Sequence, residues 1–240
     1  MFDQIHMVLI ETSHSGNIGA TARAMKTMGF TRLTLVAPQQ PIDDTAIAMA
    51  SHAADILHNA RVVADLDEAL AGCELIVGTS SRTRYLEWPV LTPRDAASQV
   101  RAYCEGQSGS VAILLGRERN GLTNEELQRC HAHIHIPCNP EYTSLNLAAA
   151  VQLVCYELRM AWLEQQPVAP VDAVATDQEM QQLYQHLEQA LLKIEFINPK
   201  APKQVMGRLK RLLQRARCEP DEVNILRGIC SRIMKHTDHE

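Results

Sequence analysis

Residues 111–127 read VAILLGRERNGLTNEEL, and this stretch decides the fold class. Val111 to Leu115 is apolar without a break, and Gly116 ends the run. A strand with one wet face alternates apolar and polar positions. An unbroken apolar strand is covered on both faces, as strands of a parallel sheet sandwiched by helices are. After the glycine-bearing loop, Thr123 offers an N-cap with Glu126 three positions on, a capping box that opens a helix near 124–130. Strand, glycine loop and helix in that order form the unit from which α/β sheets are built.

The same grammar extends in both directions. His6–Thr12, Arg32–Val36, Val62–Val63, Glu74–Thr79 and His133–Ile136 read as further strands, with helical patterns near 18–28, 43–50, 66–71, 94–104 and 144–163. Gly29 and Gly72 stand just past helical stretches, where a left-handed residue commonly closes the helix. Strands alternating with helices imply crossover connections and an α/β fold with a mostly parallel sheet.

Length and composition bound the rest. The chain has 240 residues, 46% apolar and 21% charged, an ordinary globular balance that excludes overall disorder. No apolar stretch approaches the ~20 residues of a membrane span. The opening MFDQIHMVLI has no basic segment before its apolar run, unlike a secretory leader. Seven scattered cysteines with no CxxC pair argue for a reducing compartment and against a disulfide frame or zinc finger. A cytoplasmic protein without a membrane partner is expected.

The chain divides into a domain at 1–164, a linker at 165–176 and a helical domain at 177–240. QQPVAPVDAVAT, 165–176, has two prolines and no amphipathic period. Beyond it, Thr176 with Glu179 makes a second capping box, and Pro220 suits a first helical position. Met180, Leu183, Tyr184, Leu187, Leu191 and Ile194 form one apolar stripe; Val205, Leu209, Leu212 and Leu213 form a second; Val223, Leu226, Ile229 and Ile233 form a third. Three amphipathic helices are expected, with basic residues largely opposite the stripes. Charge is divided too. Residues 1–165 carry 12 Lys+Arg and 18 Asp+Glu, a net of −6, whereas 198–235 carry 10 and 3, a net of +7. Local basic density in an acidic chain is a footprint for phosphates, hence an RNA-binding domain; the competing explanation is a solvated helical surface.

Three loops bear the chemistry: HSGNIGATAR at 14–23, GTSSR at 78–82 and GRERNGL at 116–122. All follow strands, so they share the sheet edge where α/β proteins bind ligands. Neither GxGxxG nor GK[ST] occurs, which excludes the common dinucleotide and P-loop sites. His131, His133 and His135 share a strand face, but no carboxylate or cysteine is set beside them by spacing, and no metal is expected. Trp88 and Trp162 are expected in the core or an interface.

The combination is more specific than its parts. Asn17, Gly19 and Arg23; then Gly116, Glu118, Gly121 and Leu122; then Ile136-Pro137 followed by Ser144-Leu145-Asn146 occur in order and match three motifs. In these the chain resembles the SPOUT superfamily of S-adenosylmethionine-dependent RNA methyltransferases, and within it the TrmH-like ribose methylases. The likeness is strong over 5–163 and looser over 177–236. It implies a C-terminal trefoil knot in the sheet domain, S-adenosyl-L-methionine as cofactor, a homodimer, and tRNA as substrate. The extended wording of the motifs is similar to members that 2′-O-methylate nucleotide 32 of the anticodon loop. Carried over residue by residue, cofactor contacts fall on Thr79, Ser80, Ser81, Gly116, Ile136, Thr143, Ser144 and Leu145. Catalytic candidates are Arg23, Glu118, Ser144, Asn146 and Asn17, with Glu118 as a holder of Arg23 across the dimer. Plainer roles compete: Arg23 as a surface residue, Glu118 as a turn cap, Ser144 as an N-cap, Asn146 as a helix start. Two alternatives stand beside this function: 2′-O-methylation of ribosomal RNA or of the tRNA wobble nucleotide, and RNA binding without catalysis.

Overall fold

The computed structural model describes residues 2–80, 89–163, 174–198 and 203–236. Ser81, Arg82, Trp88 and linker residues 165–173 lie outside these. The described strands are β1 (Ile5–Ile10), β2 (Arg32–Val36), β3 (Arg61–Val63), β4 (Cys73–Thr79), β5 (Val90–Leu91), β6 (Ser110–Leu115) and β7 (Ala132–Ile134). They form one sheet in the order β3-β2-β1-β6-β4-β7-β5, and every pairing is parallel. Around it lie α1 (Ser15–Met28), α2 (Asp44–Ala50), α3 (Ala54–His58), α4 (Leu66–Leu70), α5 (Pro93–Gly106), α6 (Asn124–Leu127) and α7 (Leu147–Leu163).

Alternation along the central strands separates two cores. Met7 and Leu9 face one side with Ile18, Met25 and Val151. Val8 and Ile10 face the other with Ile76, Leu114, Leu122 and Leu127. The sheet is therefore covered on both faces, as the unbroken apolar runs require. Trp162 packs against the first core, its ring edge-on to Phe2 at 5.2 Å between centroids.

Chain direction positions the site. From β1 the chain moves outward to β2 and β3; from β6, the neighbour of β1, it moves the opposite way, past β4 to β7. The segments that end β4, β6 and β7, three neighbouring strands of the sheet, line one cleft at its C-terminal edge, the edge where ligands of open α/β sheets bind.

The elements differ from expectation at particular residues. The strand expected to reach Thr12 stops at Ile10, because Glu11 turns into left-handed backbone at φ 47°. The helix expected from 144 starts at Leu147, and that expected to reach 130 ends at Leu127. β5 and α3, too short to show a period, were not expected. Gly29 and Gly72 do adopt positive φ, 87° and 79°.

The C-terminal segment holds α8 (Asp177–Lys193), α9 (Lys203–Ala216) and α10 (Pro220–His236); the capping boxes form both here, at Thr176 and Glu179, and at Thr123 and Glu126 of α6. Met180, Leu183, Tyr184, Cys218 and Val223 make its own core. Val174 and Ala175, assigned to the linker, are buried, and the Ala175 N–H donates to the Cys218 carbonyl at 2.8 Å. Leu212 and Ile229, expected in the stripes, are half exposed, as is Ile194. Leu213 rather than Leu212 turns toward the core.

Candidate functional site

The loop after β1 and the loop after β6 are stitched together by one carboxylate. Glu118 accepts from the Ser13 N–H at 3.1 and 3.2 Å, the Ser13 hydroxyl at 2.9 Å, the His14 N–H at 3.3 Å and the Asn17 side-chain amide at 2.9 Å. His14 is the N-cap position of α1, which makes no side-chain cap bond of its own and has no acid in its first turn. Glu118 supplies that missing anion from the other loop, where the unsatisfied N–H groups and helix dipole favour negative charge. Burial favours the neutral acid, but the bonds from Asn17 and Ser13 prevail and hold the Glu118 carboxyl below its ordinary value.

Asn17 passes the connection on. Its Oδ1 accepts from Asn146 Nδ2 at 3.0 Å, and Asn146 Oδ1 accepts from the Ala148 N–H at 2.9 Å, capping α7. One hydrogen-bonded chain, Glu118–Asn17–Asn146, thus ties the start of α1 to residues 101 and 129 positions away. The cap of α7 is Asn146, not Ser144. Ser144 is exposed at the cleft edge.

The loop bearing Glu118 is itself clamped. Arg117 binds Glu11 at 2.6 and 2.8 Å and Glu126 at 3.0 Å through two nitrogens, and these acids raise its pKa. Arg117 and Gly121 exchange backbone hydrogen bonds of 3.2 and 2.9 Å, and Gly121 takes φ 63°. This tight turn folds back onto Gly116: a Cβ there would lie 2.1 Å from the Gly121 carbonyl carbon and 2.3 Å from the Leu122 nitrogen. Only glycine fits, and its bare backbone faces a cleft.

That cleft gathers the described cofactor candidates. Thr79, Ser80, Gly116, Ile136, Thr143, Ser144 and Leu145 all line it. Thr79 Oγ1 donates to the Leu114 carbonyl at 3.1 Å and the Ser80 N–H to the Ile134 carbonyl at 2.9 Å, which fixes this end of β4. Cys138 and Arg119 line the same cleft. Arg23 is exposed on α1 between buried Ala22 and Ala24, and among the described residues nothing pairs with its guanidinium. Gly19 has a packing reason: a Cβ there would meet the Ala46 carbonyl oxygen at 2.0 Å, so it lets α2 lie against α1.

Each histidine of the 131–135 strand has a backbone partner. His131 Nδ1 accepts from the Ile76 N–H at 3.0 Å, His133 Nε2 lies 3.0 Å from the Leu127 carbonyl, and His135 Nδ1 lies 3.2 Å from the Ser80 carbonyl. Among the described residues no group of three or more His, Cys, Asp or Glu side chains is set to hold a metal. Sequence reasoning missed Ser13, Glu11 and Arg117. GRERNGL displays the arginine, but its partners 106 and 9 residues away have no local signal.

Residues 4–156 match the family model described as SpoU rRNA Methylase family, and 178–240 match that described as tRNA methyltransferase TrmJ, C-terminal domain. A Klebsiella pneumoniae protein named tRNA (cytidine/uridine-2′-O-)-methyltransferase TrmJ is 52% identical over 240 residues, covering 97% of each chain. The crystal structure of TrmJ from Z. mobilis ZM4 superposes with a TM-score of 0.83 at 34% identity, over 95% of this chain and 98% of that one. The SpoU methyltransferase AviRb from Streptomyces viridochromogenes, solved with AdoMet, shares the fold at 20% identity and a TM-score of 0.54, over 67% of this chain and 61% of its own. With its three motif loops joined at one cleft and its family match covering most of the chain, the protein belongs to the SpoU rRNA Methylase family of methyltransferases, in the branch that carries the TrmJ C-terminal domain.

Proposed function

We propose that the chain is an S-adenosylmethionine-dependent tRNA (ribose 2′-O) methyltransferase acting on C or U at nucleotide 32 of the anticodon loop. The observation that carries this is the Glu118–Asn17–Asn146 chain, which Glu118 brings to the cleft, with Arg23 unpaired among described residues on the helix that carries Asn17. The same activity is supported by the relative, 52% identical over 97% of each chain, that is named tRNA (cytidine/uridine-2′-O-)-methyltransferase.

The residues present fit the cofactor. Gly116 offers backbone that a side chain would fill, and Thr79, Ser80, Thr143 and Ser144 add small polar groups around an apolar Ile136 and Leu145. Ser81, next in the chain, completes the proposed set. S-adenosylmethionine supplies a methyl group on a sulfonium, whose neutral thioether leaves without metal assistance. The protein's task is the nucleophile. A ribose 2′-hydroxyl attacks poorly until it is aligned and its proton drained. Arginine is a fixed cation with no acceptor, so Arg23 acts best as a clamp on the phosphate beside the target ribose, where it also offsets developing oxyanion charge. Ser144 and Asn146 orient the hydroxyl. Glu118 serves by holding Ser13, His14 and Asn17, since its donors all come from that segment.

The same reading includes a trefoil knot in residues 1–164 and a homodimer. Half-exposed Ile47 and Met49 on α2, with Leu153 and Tyr156 on α7, flank α1 and give a dimer apolar surface to cover. The domain at 177–240, with exposed Arg208, Arg215 and Arg232, grips RNA phosphates. No helix among the described residues is long and apolar enough to cross a membrane, and a tRNA substrate points to the cytoplasm. The test is to incubate the purified protein with methyl-labelled S-adenosylmethionine and, separately, total tRNA and ribosomal RNA lacking the modification. Label in tRNA as a 2′-O-methylated pyrimidine is expected. Label confined to ribosomal RNA, or none, rejects the proposal.

A further inference from the structure

The C-terminal bundle buries two polar side chains among its described residues, Asp177 at 4% exposure and Gln214 at 2%. Both end on one residue of the sheet domain. Asp177 forms an ion pair with the Arg129 guanidinium, and Gln214 Nε2 donates to the Arg129 carbonyl at 2.7 Å. Tyr184 of α8 fixes the Gln214 amide by donating to its Oε1 at 2.6 Å. Asp67 of α4 takes the other side of the guanidinium at 2.5 Å. Arg129 follows α6 directly, on the segment that continues from the Gly116–Leu122 loop.

An apolar contact between two units slides and rotates at little cost. A buried ion pair with its amide relay has one satisfied arrangement, and any other leaves a desolvated charge without a partner. We infer that Arg129 is a positioning residue: it locks the helical bundle onto the sheet domain in a single orientation and so keeps the bundle's RNA-gripping face in register with the methyl-transfer cleft. The docking stands on the contacts alone, and the registering role rests on the proposed RNA grip. Locked in this way, the bundle delivers tRNA as part of one body. A merely tethered bundle would hold tRNA equally well and present it in many orientations.

The experiment compares the full chain with Arg129→Met and with Arg129→Met/Asp177→Asn, the second relieving the orphaned carboxylate so that the protein keeps its fold. Three readouts are taken: radius of gyration by small-angle X-ray scattering, tRNA affinity by filter binding, and methyl transfer in a single turnover at saturating tRNA. A larger radius, tRNA affinity within about twofold of the parent, and transfer slowed by about tenfold or more are expected, because a loosely held module loses its effective concentration at the site. A merely structural junction would lower thermal stability and leave the single-turnover rate alone. An unchanged radius in the double variant overturns the lock, and a larger radius with undiminished transfer overturns the registering role. If the bundle is not the RNA grip, that shows separately: the parent protein's tRNA affinity then lacks the steep salt dependence that phosphate contacts impose.

Discussion

Gly116→Ala tests the cleft at its narrowest point. The added methyl would sit 2.1 Å from the Gly121 carbonyl carbon, 2.3 Å from the Leu122 nitrogen and 2.4 Å from the Gly121 oxygen, whereas ordinary contacts begin at 3.4 Å. All three neighbours are backbone, so no rotamer change relieves the clash. The turn must retreat by about 1 Å, against an Arg117 clamp with four bonds to two carboxylates. Overpacking of this kind costs about 1–3 kcal/mol. The functional cost is larger, since a misplacement of about 1 Å near reacting groups lowers rates by about a hundredfold. Calorimetry with S-adenosylmethionine, alongside a thermal melt, separates the two. A folded variant with binding weakened by tenfold or more is expected. A variant that binds the cofactor as tightly as the parent and methylates at the same rate would refute the placement of the cofactor over Gly116.

Arg23→Ala should leave the melting temperature and cofactor affinity nearly unchanged, because the side chain is exposed and unpaired among described residues, while methyl transfer collapses; retained turnover removes Arg23 from the chemistry. Asn17→Ala cuts the chain in the middle and should cost about 1–3 kcal/mol of stability, since it removes two hydrogen bonds, with a much larger loss of activity measured in the same preparation; equal small losses in both would reduce the chain to scaffolding. His131 gives a pH test. Burial, then the charge of Arg217, depress its pKa to about 4, and its Nδ1 must stay unprotonated to accept from Ile76. The neutral form is the folded one, so this stability is complete above pH ~6.5 and drains as pH falls toward 4, by about 3 kcal/mol in all. Stabilities from denaturant melts of the parent and His131→Asn should differ in their slope with pH only in that window; parallel curves would show that His131 does not titrate with unfolding.

Where sequence and structure agree, the signal was local. VAILLG shows a strand buried on both faces, two capping boxes mark helix starts, and Gly29 closes α1, because each depends on residues within a few positions. β5, with two residues, and α3, with five, are too short to carry a period. The strand order was not legible either, and with it the β6-β4-β7 neighbourhood whose ends line the cleft. The motif residues could be named in advance, but not their bonds. Glu118 reaches Asn17 across 101 positions and Asn146 reaches Asn17 across 129, and nothing local encodes either. The helical stripes misled at Leu212 and Ile229 because the period tells which residues share a face, not how much of that face a neighbour covers. Nor does a pattern of apolar residues announce that Asp177 and Gln214 are buried around an arginine of the other domain.

The central claim is transfer of a methyl group to one ribose oxygen, and a single-atom change in the substrate tests it most directly. Two tRNA transcripts are prepared, identical except that nucleotide 32 carries a 2′-hydroxyl in one and a 2′-hydrogen in the other. Each is incubated with the full-length protein and methyl-labelled S-adenosylmethionine. Label is predicted in the first and none above background in the second, with both binding the protein alike. Equal labelling of the two would contradict the account, since the acceptor atom would then lie elsewhere.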